Sequence, residues 1–478
     1  MSEPRPVAVI VLAAGEGTRM KSQVPKVLHV LCGRSMLGHA LAAASELQPG
    51  RLVVVAGHQR EQVSAEAQRQ APDVTIVTQE PQNGTGHAVR MVTEALGALN
   101  GIVVVTYGDM PLLRAQTLQD LVGEHAARHN AVTVLSANVD DPHGYGRIVR
   151  DDQGNLIEIV EQRDATPAQQ EIDEINSGCY AFDGTLLAGA IKRVATDNAQ
   201  GQEYLTDVIK ILRSDGHQVG ARKAADAEEI QGINDRIQLA QARRALNQRT
   251  LDDWMRNGVT VVDPVSTWVD VTVTASQDAE IGPFTCLEGA TTIAEGATIG
   301  PNCRLKDTEV GERATVSYTV ANQASIGPGA SVGPFAYLRP QTRIGTNAHI
   351  GTYVELKKST VGEGSKVPHL TYVGDADLGA DVNIGAGTIF ANYDGVNKHH
   401  TTVGDGVFVG SDSVLIAPRT IGDGAYIAAG SAISEDVPPG ALGVARGRQH
   451  NSDGWTERKR PGTRSAKAAA KAITKGDK

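Results

Sequence analysis

Beginning at Ile281, an aliphatic side chain returns every sixth residue: Ile281, Leu287, Ile293, Ile299, Leu305, then Ile326, Val332, Leu338, Ile344, Ile350, Leu356. The series resumes at Val361, Val367 and Val373, again at Leu378, Ile384 and Phe390, and finally at Val403, Val409, Leu415, Ile421, Ile427 and Ile433. Glycine commonly follows, as at Gly327, Gly345, Gly362 and Gly385, and small residues recur two places earlier, as at Ala330, Ala348, Ser365 and Ser431. An aliphatic knob, a glycine corner and a small inward residue suit short flat strands joined by tight bends around a narrow core. Three such strands make one triangular coil, and coils stack at about 4.8 Å with backbone hydrogen bonds between them. Most phase breaks are one residue short, as from Leu356 to Val361, but Phe390 to Val403 spans thirteen residues where six would continue the ladder. A loop is therefore expected to protrude within 391–402. The segment Asp307 to Ser325 interrupts the ladder without a reason visible in the sequence.

A chain of 478 residues exceeds what one core usually supports, so at least two domains are expected. Aromatics are only 4% and glycine is frequent after residue 281, as a solenoid of small and β-branched residues requires. The formal charge of -10 is spread over both halves rather than gathered in blocks, which argues against a nucleic-acid partner. Cys32, Cys179, Cys286 and Cys303 lie far apart without metal-ligand spacing and read as reduced, buried thiols. The apolar run Val7 to Ala14 lacks a basic region before it, and no other stretch approaches membrane-spanning length. A cytoplasmic protein without membrane insertion is expected.

Before the ladder, Val7 to Leu12, Leu52 to Val55, Val74 to Thr78 and Ile102 to Thr106 are short apolar runs separated by helix-compatible stretches. That alternation predicts a parallel α/β sheet with sites at strand C-termini. The first run ends in Ala13-Ala14-Gly15-Glu16-Gly17-Thr18-Arg19-Met20, a turn whose N–H groups suit phosphate. It is neither a dinucleotide fingerprint nor a P-loop, since Met20 stands where glycine would be and Gly-Lys-Ser/Thr is absent. The fourth run ends in Tyr107-Gly108-Asp109-Met110-Pro111; Asp109 there suits a helix cap or a Mg²⁺ ion shared with substrate phosphates. From Asn234 to Met255, Leu239, Ala242 and Leu246 have helical spacing, which predicts a linker helix with Asn234 as a good N-cap.

Leu12-Ala13-Ala14-Gly15-x-Gly17-Thr18-Arg19-Met20 followed by Pro25-Lys26 resembles the signature of sugar-nucleotide pyrophosphorylases. The order of that domain, a linker helix and a hexapeptide ladder, with Lys366-Val367-Pro368-His369-Leu370-Thr371-Tyr372-Val373-Gly374-Asp375 inside the ladder, resembles one family over residues 5 to 460. It is the bacterial bifunctional N-acetylglucosamine-1-phosphate uridyltransferase/glucosamine-1-phosphate N-acetyltransferase family. The resemblance implies an α/β fold class: a Rossmann-like nucleotidyltransferase domain (1–232), a linker helix (233–257) and a left-handed parallel β-helix of hexapeptide repeats (258–460). A disordered tail (461–478) is expected from its basic, Ala-rich composition. Handedness comes from the family, because parallel crossovers are ordinarily right-handed.

The resemblance also implies chemistry. Acetyl would pass from acetyl-CoA to glucosamine-1-phosphate in the second domain, and UMP from UTP to N-acetylglucosamine-1-phosphate in the first, with Mg²⁺, yielding a cell-wall precursor. Leu12, Ala13, Ala14, Gly15, Arg19, Lys26, Tyr107, Gly108 and Asp109 fall at nucleotide positions, Gln79 with Gly84 and Thr85 at the uracil-reading segment. Gly144-Tyr145-Gly146-Arg147, Glu161 and Asn176 match sugar positions, and Asn234 a second metal ligand beside Asp109. In the ladder His369 matches the general base, and its unperturbed pKa of about 6.5 suits removal of an ammonium proton. It lies two residues past Val367, on the outward side of the coil. Arg339 and Lys357 match sugar-phosphate ligands, and Tyr372, Asn383, Asn392 and Tyr393 sugar-binding or cofactor-adjacent positions. Ala386, Ser411, Ala429 and Arg446 match acetyl-CoA contacts. In the family the acetyl-transfer site forms between the chains of a homotrimer, with residues such as Trp455 reaching a neighbour. Two rivals are a single-activity pyrophosphorylase with a regulatory or oligomerising β-helix, and a non-catalytic scaffold; His369 within its motif speaks against the first, Gly17-Thr18-Arg19 and Tyr107-Gly108-Asp109 against the second.

Overall fold

A computed structural model describes residues 4–97 and 99–476, and the chain divides into two compact units, 1–307 and 308–478. No helix among the described residues is long and apolar enough to cross a membrane.

The first unit opens on a nine-stranded mixed sheet. Its spatial order is Val219–Lys223, Val132–Asn138, Glu174–Asp183, Ile102–Tyr107, Ala8–Ala13, Leu52–Ala56 and Thr75–Thr78. The hairpin Arg147–Arg150 and Leu156–Val160 branches from Glu174–Asp183. Pairing is parallel around Ala8–Ala13, and Glu174–Asp183 runs antiparallel to both neighbours. Ala8–Ala13 is buried along its whole length: Ile10 and Leu12 enter one core, Val9 and Val11 the other, because helices cover both faces. From this central strand the chain builds outward through Leu52–Ala56 to Thr75–Thr78, then returns to Ile102–Tyr107 on the other side. The C-terminal ends of Ala8–Ala13 and Ile102–Tyr107 thus flank a topological switch point, where an open α/β sheet leaves its crevice.

The linker helix runs Arg236–Arg256 and buries Leu239, Ala242 and Leu246, as their spacing required. Its N-cap is Asp235, whose carboxylate accepts from the N–H groups of Ile237 and Gln238, not Asn234 as expected. Asp235 reaches the free helical N–H groups, and Asn234, one residue earlier, turns its amide elsewhere. Asn247, 4% exposed, donates to Thr267 O and accepts from Val269 N–H, tying this helix to the first β-coils. Those coils already pair in register in this unit, Ile281 beside Ile299 and Leu287 beside Leu305.

The second unit is a stack of short parallel strands in three sheets. Every ladder residue named above is at most 4% exposed. The corner glycines have ordinary φ; they are required by close approach, since a Cβ on Gly362 would meet Gly379 O at 2.2 Å and one on Gly385 would meet Ser411 N at 2.4 Å. The apparent interruption is no interruption. Val310, Val316, Ala321 and Ile326 are all buried, so the ladder continues with steps of six and five and with alanine at one knob. The expected loop leaves after Ile389–Ala391 and returns at Thr401–Val403, with Asp394 accepting from Val396 N–H and Asn397 N–H at its tip. The tail corrects an expectation: Arg464–Gly476 is helical rather than disordered, because a run of alanine and lysine carries high intrinsic helix propensity.

Candidate active sites

In the first unit, a cleft of about 530 Å³ opens at the switch point. Leu12, Ala13, Ala14, Gly15, Gln79, Gly84, Thr85, Tyr107, Asp109, Gly146, Glu161, Asn176 and Lys26 all line it. Gly108 N–H donates to Leu12 O at 2.9 Å, locking the ends of the two central strands together. Gly17, at φ 64, lies so close to Lys26 that a Cβ would meet Lys26 Cβ at 2.3 Å; the glycine lets the basic turn close over the strand end.

Four functional groups converge there. Lys26 Nζ lies 2.5 Å from Asp109 Oδ2 and donates to Asn234 Oδ1 at 2.7 Å; Arg19 Nη2 donates to the same Oδ1 at 2.8 Å. Asp109 caps no helix, since the next one, Ala115–Arg128, has Arg114 at its N-cap, and Asn234, which does not itself line the cleft, gives its oxygen to Lys26, which does. An ammonium held by two hard oxygens stands where a divalent ion would be bound, so this donor set fits Mg²⁺ completed by substrate phosphates.

Hydrogen-bonding side chains line the rest of the cleft. Gln79 Nε2 donates to Gly84 O at 2.8 Å, and Thr85 Oγ1 accepts from Leu205 N–H at 3.1 Å. Asn176 Oδ1 accepts from Gly178 N–H while its Nδ2 donates to Tyr180 Oη. Burial raises the pKa of the Glu161 carboxyl, against a hydrogen bond from Thr206. Arg147, in contrast to its motif partners, does not line the cleft and is 1% exposed behind it. Among the lining residues that escaped the sequence reading are Gln82, which donates to Ala14 O at 2.6 Å, Tyr204 and Thr206. Nothing in the local sequence marks Tyr204 and Thr206; they arrive by folding of 198–206 over Gly86, whose N–H donates to Glu203 O.

In the second unit, His369 ends the strand Lys366–His369 and is exposed, because the coil turns at Leu370, φ 50. Its carbonyl accepts from Gly387 N–H and Thr371 Oγ1, which fixes the backbone and leaves the imidazole at the surface. At the next corner of the coil, beyond the strand Tyr372–Gly374, Asp375 is shared: Lys357 Nζ lies 3.2 Å and Asn392 Nδ2 2.5 Å from its Oδ2. Asn392 Nδ2 also lies 3.4 Å from Tyr372 Oη. Arg339 Nη1 pairs with Glu355 at 2.9 Å. Burial would raise the Asp375 pKa, but the hydrogen bonds from Asn392 and Lys357 hold it below the usual carboxylate range. Lys398, on the protruding loop, is pushed below the ordinary lysine range by hydrogen bonding to and repulsion from Lys357. Asp375 and Lys398 were not singled out as site residues, although the thirteen-residue step had marked the loop that carries Lys398. Tyr393 is exposed on that loop, its hydroxyl donating to Gly395 O.

The remaining positions follow the coil geometry. Asn383 stands in register with Lys366 and Phe408. Ala386 and Ser411 sit at one corner of successive coils, where Asp412 N–H donates to Ala386 O and Gly430 N–H to Ser411 O. Ala429 adjoins Gly410, and Arg446 Cδ lies near Gly430. Trp455 is exposed, with the Arg460 guanidinium 5.4 Å from its ring centre. All four cysteines are thiols rather than disulfide halves; three are buried and Cys286 is half-buried.

The family model for the MobA-like NTP transferase domain matches residues 9–174, and that for the bacterial transferase hexapeptide repeat matches 323–358 and 400–435. The chain is 60% identical to the Bifunctional protein GlmU of Thermobifida fusca over 100% of this chain and 99% of that one. It is 60% identical to the protein of the same name from Streptomyces coelicolor over 98% of both, and 53% identical to that of Corynebacterium aurimucosum over 99% and 98%.

Proposed function

Because the chain belongs to the bifunctional GlmU family, we propose that its two halves carry out consecutive steps of UDP-N-acetylglucosamine synthesis. It is a transferase with an NTP-transferase domain and a left-handed β-helix of acetyltransferase type. The β-helix acetylates glucosamine-1-phosphate with acetyl-CoA; the N-terminal domain then transfers UMP from UTP to N-acetylglucosamine-1-phosphate and releases pyrophosphate. We assign the first reaction to residues 258–460 and the second to 1–232, joined by the helix within 233–257.

For acetyl transfer, His369 takes a proton from the sugar ammonium, and the freed amine attacks the thioester carbonyl. Arg339 and Lys357 hold the sugar phosphate, and Tyr372, Asn383 and Asn392 orient the ring. Ala386, Ser411, Ala429, Arg446 and Tyr393 receive acetyl-CoA. This site is completed across a homotrimer of β-helices.

For uridyl transfer, a phosphate oxygen of N-acetylglucosamine-1-phosphate attacks the α-phosphorus of UTP in line, and pyrophosphate leaves. Asp109 and Asn234 would hold Mg²⁺, which when bound would spread the charge that grows on the phosphates. Arg19 and Lys26 neutralise the leaving pyrophosphate, the strand-end turn 12–15 with Tyr107 and Gly108 seats the nucleotide, and Gln79, Gly84 and Thr85 read uracil. Gly146, Glu161 and Asn176 bind the acetylated sugar. Substrates of this kind place the protein in the cytoplasm.

The convergence of Lys26, Arg19, Asp109 and Asn234 at the switch point carries the reading of the first site. Purified protein given glucosamine-1-phosphate, acetyl-CoA, UTP and Mg²⁺ is expected to make UDP-N-acetylglucosamine. His369→Ala should stop acetylation yet still use supplied N-acetylglucosamine-1-phosphate, and Asp109→Ala should accumulate that intermediate. Acetyl transfer left intact in His369→Ala would overturn the assignment of the second site.

A further inference from the structure

We infer that Arg147 is a positioning residue for the sugar end of the uridyl-transfer site, an inference that rests on the reading above. Its motif partners Gly144, Tyr145 and Gly146 line the cleft, but its own side chain points behind them and is 1% exposed. Its guanidinium donates to Tyr145 O, to Gln162 Oε1 at 2.8 Å and to Gln170 O at 3.4 Å. Gln162 Oε1 in turn accepts from Gly144 N–H at 3.1 Å. Among the described residues no carboxylate forms a salt bridge with it: its hydrogen bonds go to carbonyl and amide oxygens, and the one carboxylate that acts on its charge, Asp141, does so without a direct contact.

A buried cation without a directly paired anion is a poor source of stability, since an apolar residue of similar volume often replaces buried charge at no loss. What this guanidinium secures is geometry. The Arg147 backbone pairs with Val160 on one side and Ile175 on the other. Each strand then places a proposed sugar ligand one residue away: Gly146 before Arg147, Glu161 after Val160, Asn176 after Ile175. Asn176 N–H donates to Gly146 O at 2.8 Å, and a Cβ on Gly146 would lie 3.5 Å from both Asn176 Cβ and Glu161 Oε1. The three ligands therefore meet at one point, and Arg147 clamps the turn, the hairpin and the segment ending at Gln170 around it. Lysine has a single ammonium and cannot reproduce a planar fork directed at several acceptors.

The test is steady-state uridyl transfer by the full-length Arg147→Met, Arg147→Lys and Gln162→Ala variants, with acetyl transfer as internal control. In both arginine variants the KM for N-acetylglucosamine-1-phosphate should rise about tenfold, the effect of losing a charge-assisted hydrogen bond. The KM for UTP should stay within about twofold, kcat should change less than the sugar KM, and acetyl transfer should be unaltered. Gln162→Ala should shift the sugar KM in the same direction, by less. Sugar and UTP KM values that move together, or neither moving, would overturn the assignment. If the arginine variants do not fold, Gln162→Ala decides, and an unchanged sugar KM there overturns it equally. Wild-type protein without uridyl transfer would instead defeat the functional reading beneath.

Discussion

Lys26 Nζ stands 2.5 Å from Asp109 Oδ2, a contact that puts one ammonium between the two residues proposed to hold magnesium. A divalent ion arriving alone has to displace it. Phosphates of UTP that draw the ammonium toward themselves would free both oxygens, so metal and nucleotide should bind cooperatively. Lys26→Met is expected to bind Mn²⁺ without nucleotide several-fold more tightly than wild type, read by electron paramagnetic resonance of the free ion. Its uridyl transfer should nevertheless fall about 10²-fold, as expected on removing a preorganised charge from a phosphoryl-transfer site. Equal Mn²⁺ affinities would refute the competition.

Asp375 ties Lys357 to Asn392 through one carboxylate oxygen. Asp375→Asn keeps the shape but leaves Lys357 and Lys398 facing each other without an intervening anion. The KM for glucosamine-1-phosphate should change by about tenfold while uridyl transfer of supplied N-acetylglucosamine-1-phosphate stays constant. Unaltered acetylation kinetics would remove Asp375 from the site.

The tight stacking of coils predicts an overpacking cost. Gly362→Ala places a methyl 2.2 Å from Gly379 O, a backbone atom that cannot step aside alone. The β-helix should lose roughly 1–3 kcal/mol of stability, seen as a lower unfolding midpoint for its transition in calorimetry, with the transition of the other domain unmoved. Gly395→Ala, where a Cβ meets nothing within 4 Å, leaves packing alone but sits at φ 101, so any loss there reports backbone strain.

Burial pushes the pKa of both His39 and His125 down to about 4. Between their ordinary value of 6.5 and about 4, the unfolded chain binds protons that the folded chain refuses. Stability of the N-terminal domain should therefore fall as pH drops through that window and level off below it. His39→Gln can still donate to Leu31 O, which His39 Nε2 approaches at 2.9 Å, and should flatten the fall. An unchanged pH profile of the unfolding temperature in that variant would exclude His39 as a contributor.

The regular parts of the molecule were legible because their determinants are local. One aliphatic residue per strand announces each coil, and apolar runs at strand length announce the sheet around Ala8–Ala13. Ala321 hid a coil because alanine is a weak hydrophobic signal and the steps around it are five residues, not six. The nucleotide end of the first cleft was readable in two contiguous motifs. Tyr204 and Thr206 were not, since only the packing of 198–206 brings them there. Arg147 looked like a ligand for want of any sequence signal that distinguishes a residue facing a cleft from its neighbour facing away.

Lys357, Asp375 and Asn392 occupy corresponding corners of three successive coils, 18 and 17 residues apart. Their spacing is thus set by counting turns of a solenoid rather than by shaping loops. Coils gained or lost beyond either end leave the trio untouched, whereas one coil inserted within it would separate its members by about 4.8 Å, more than a hydrogen bond spans. Catalytic geometry in such a scaffold is digital: a change of length is silent or fatal, with little ground between for gradual drift.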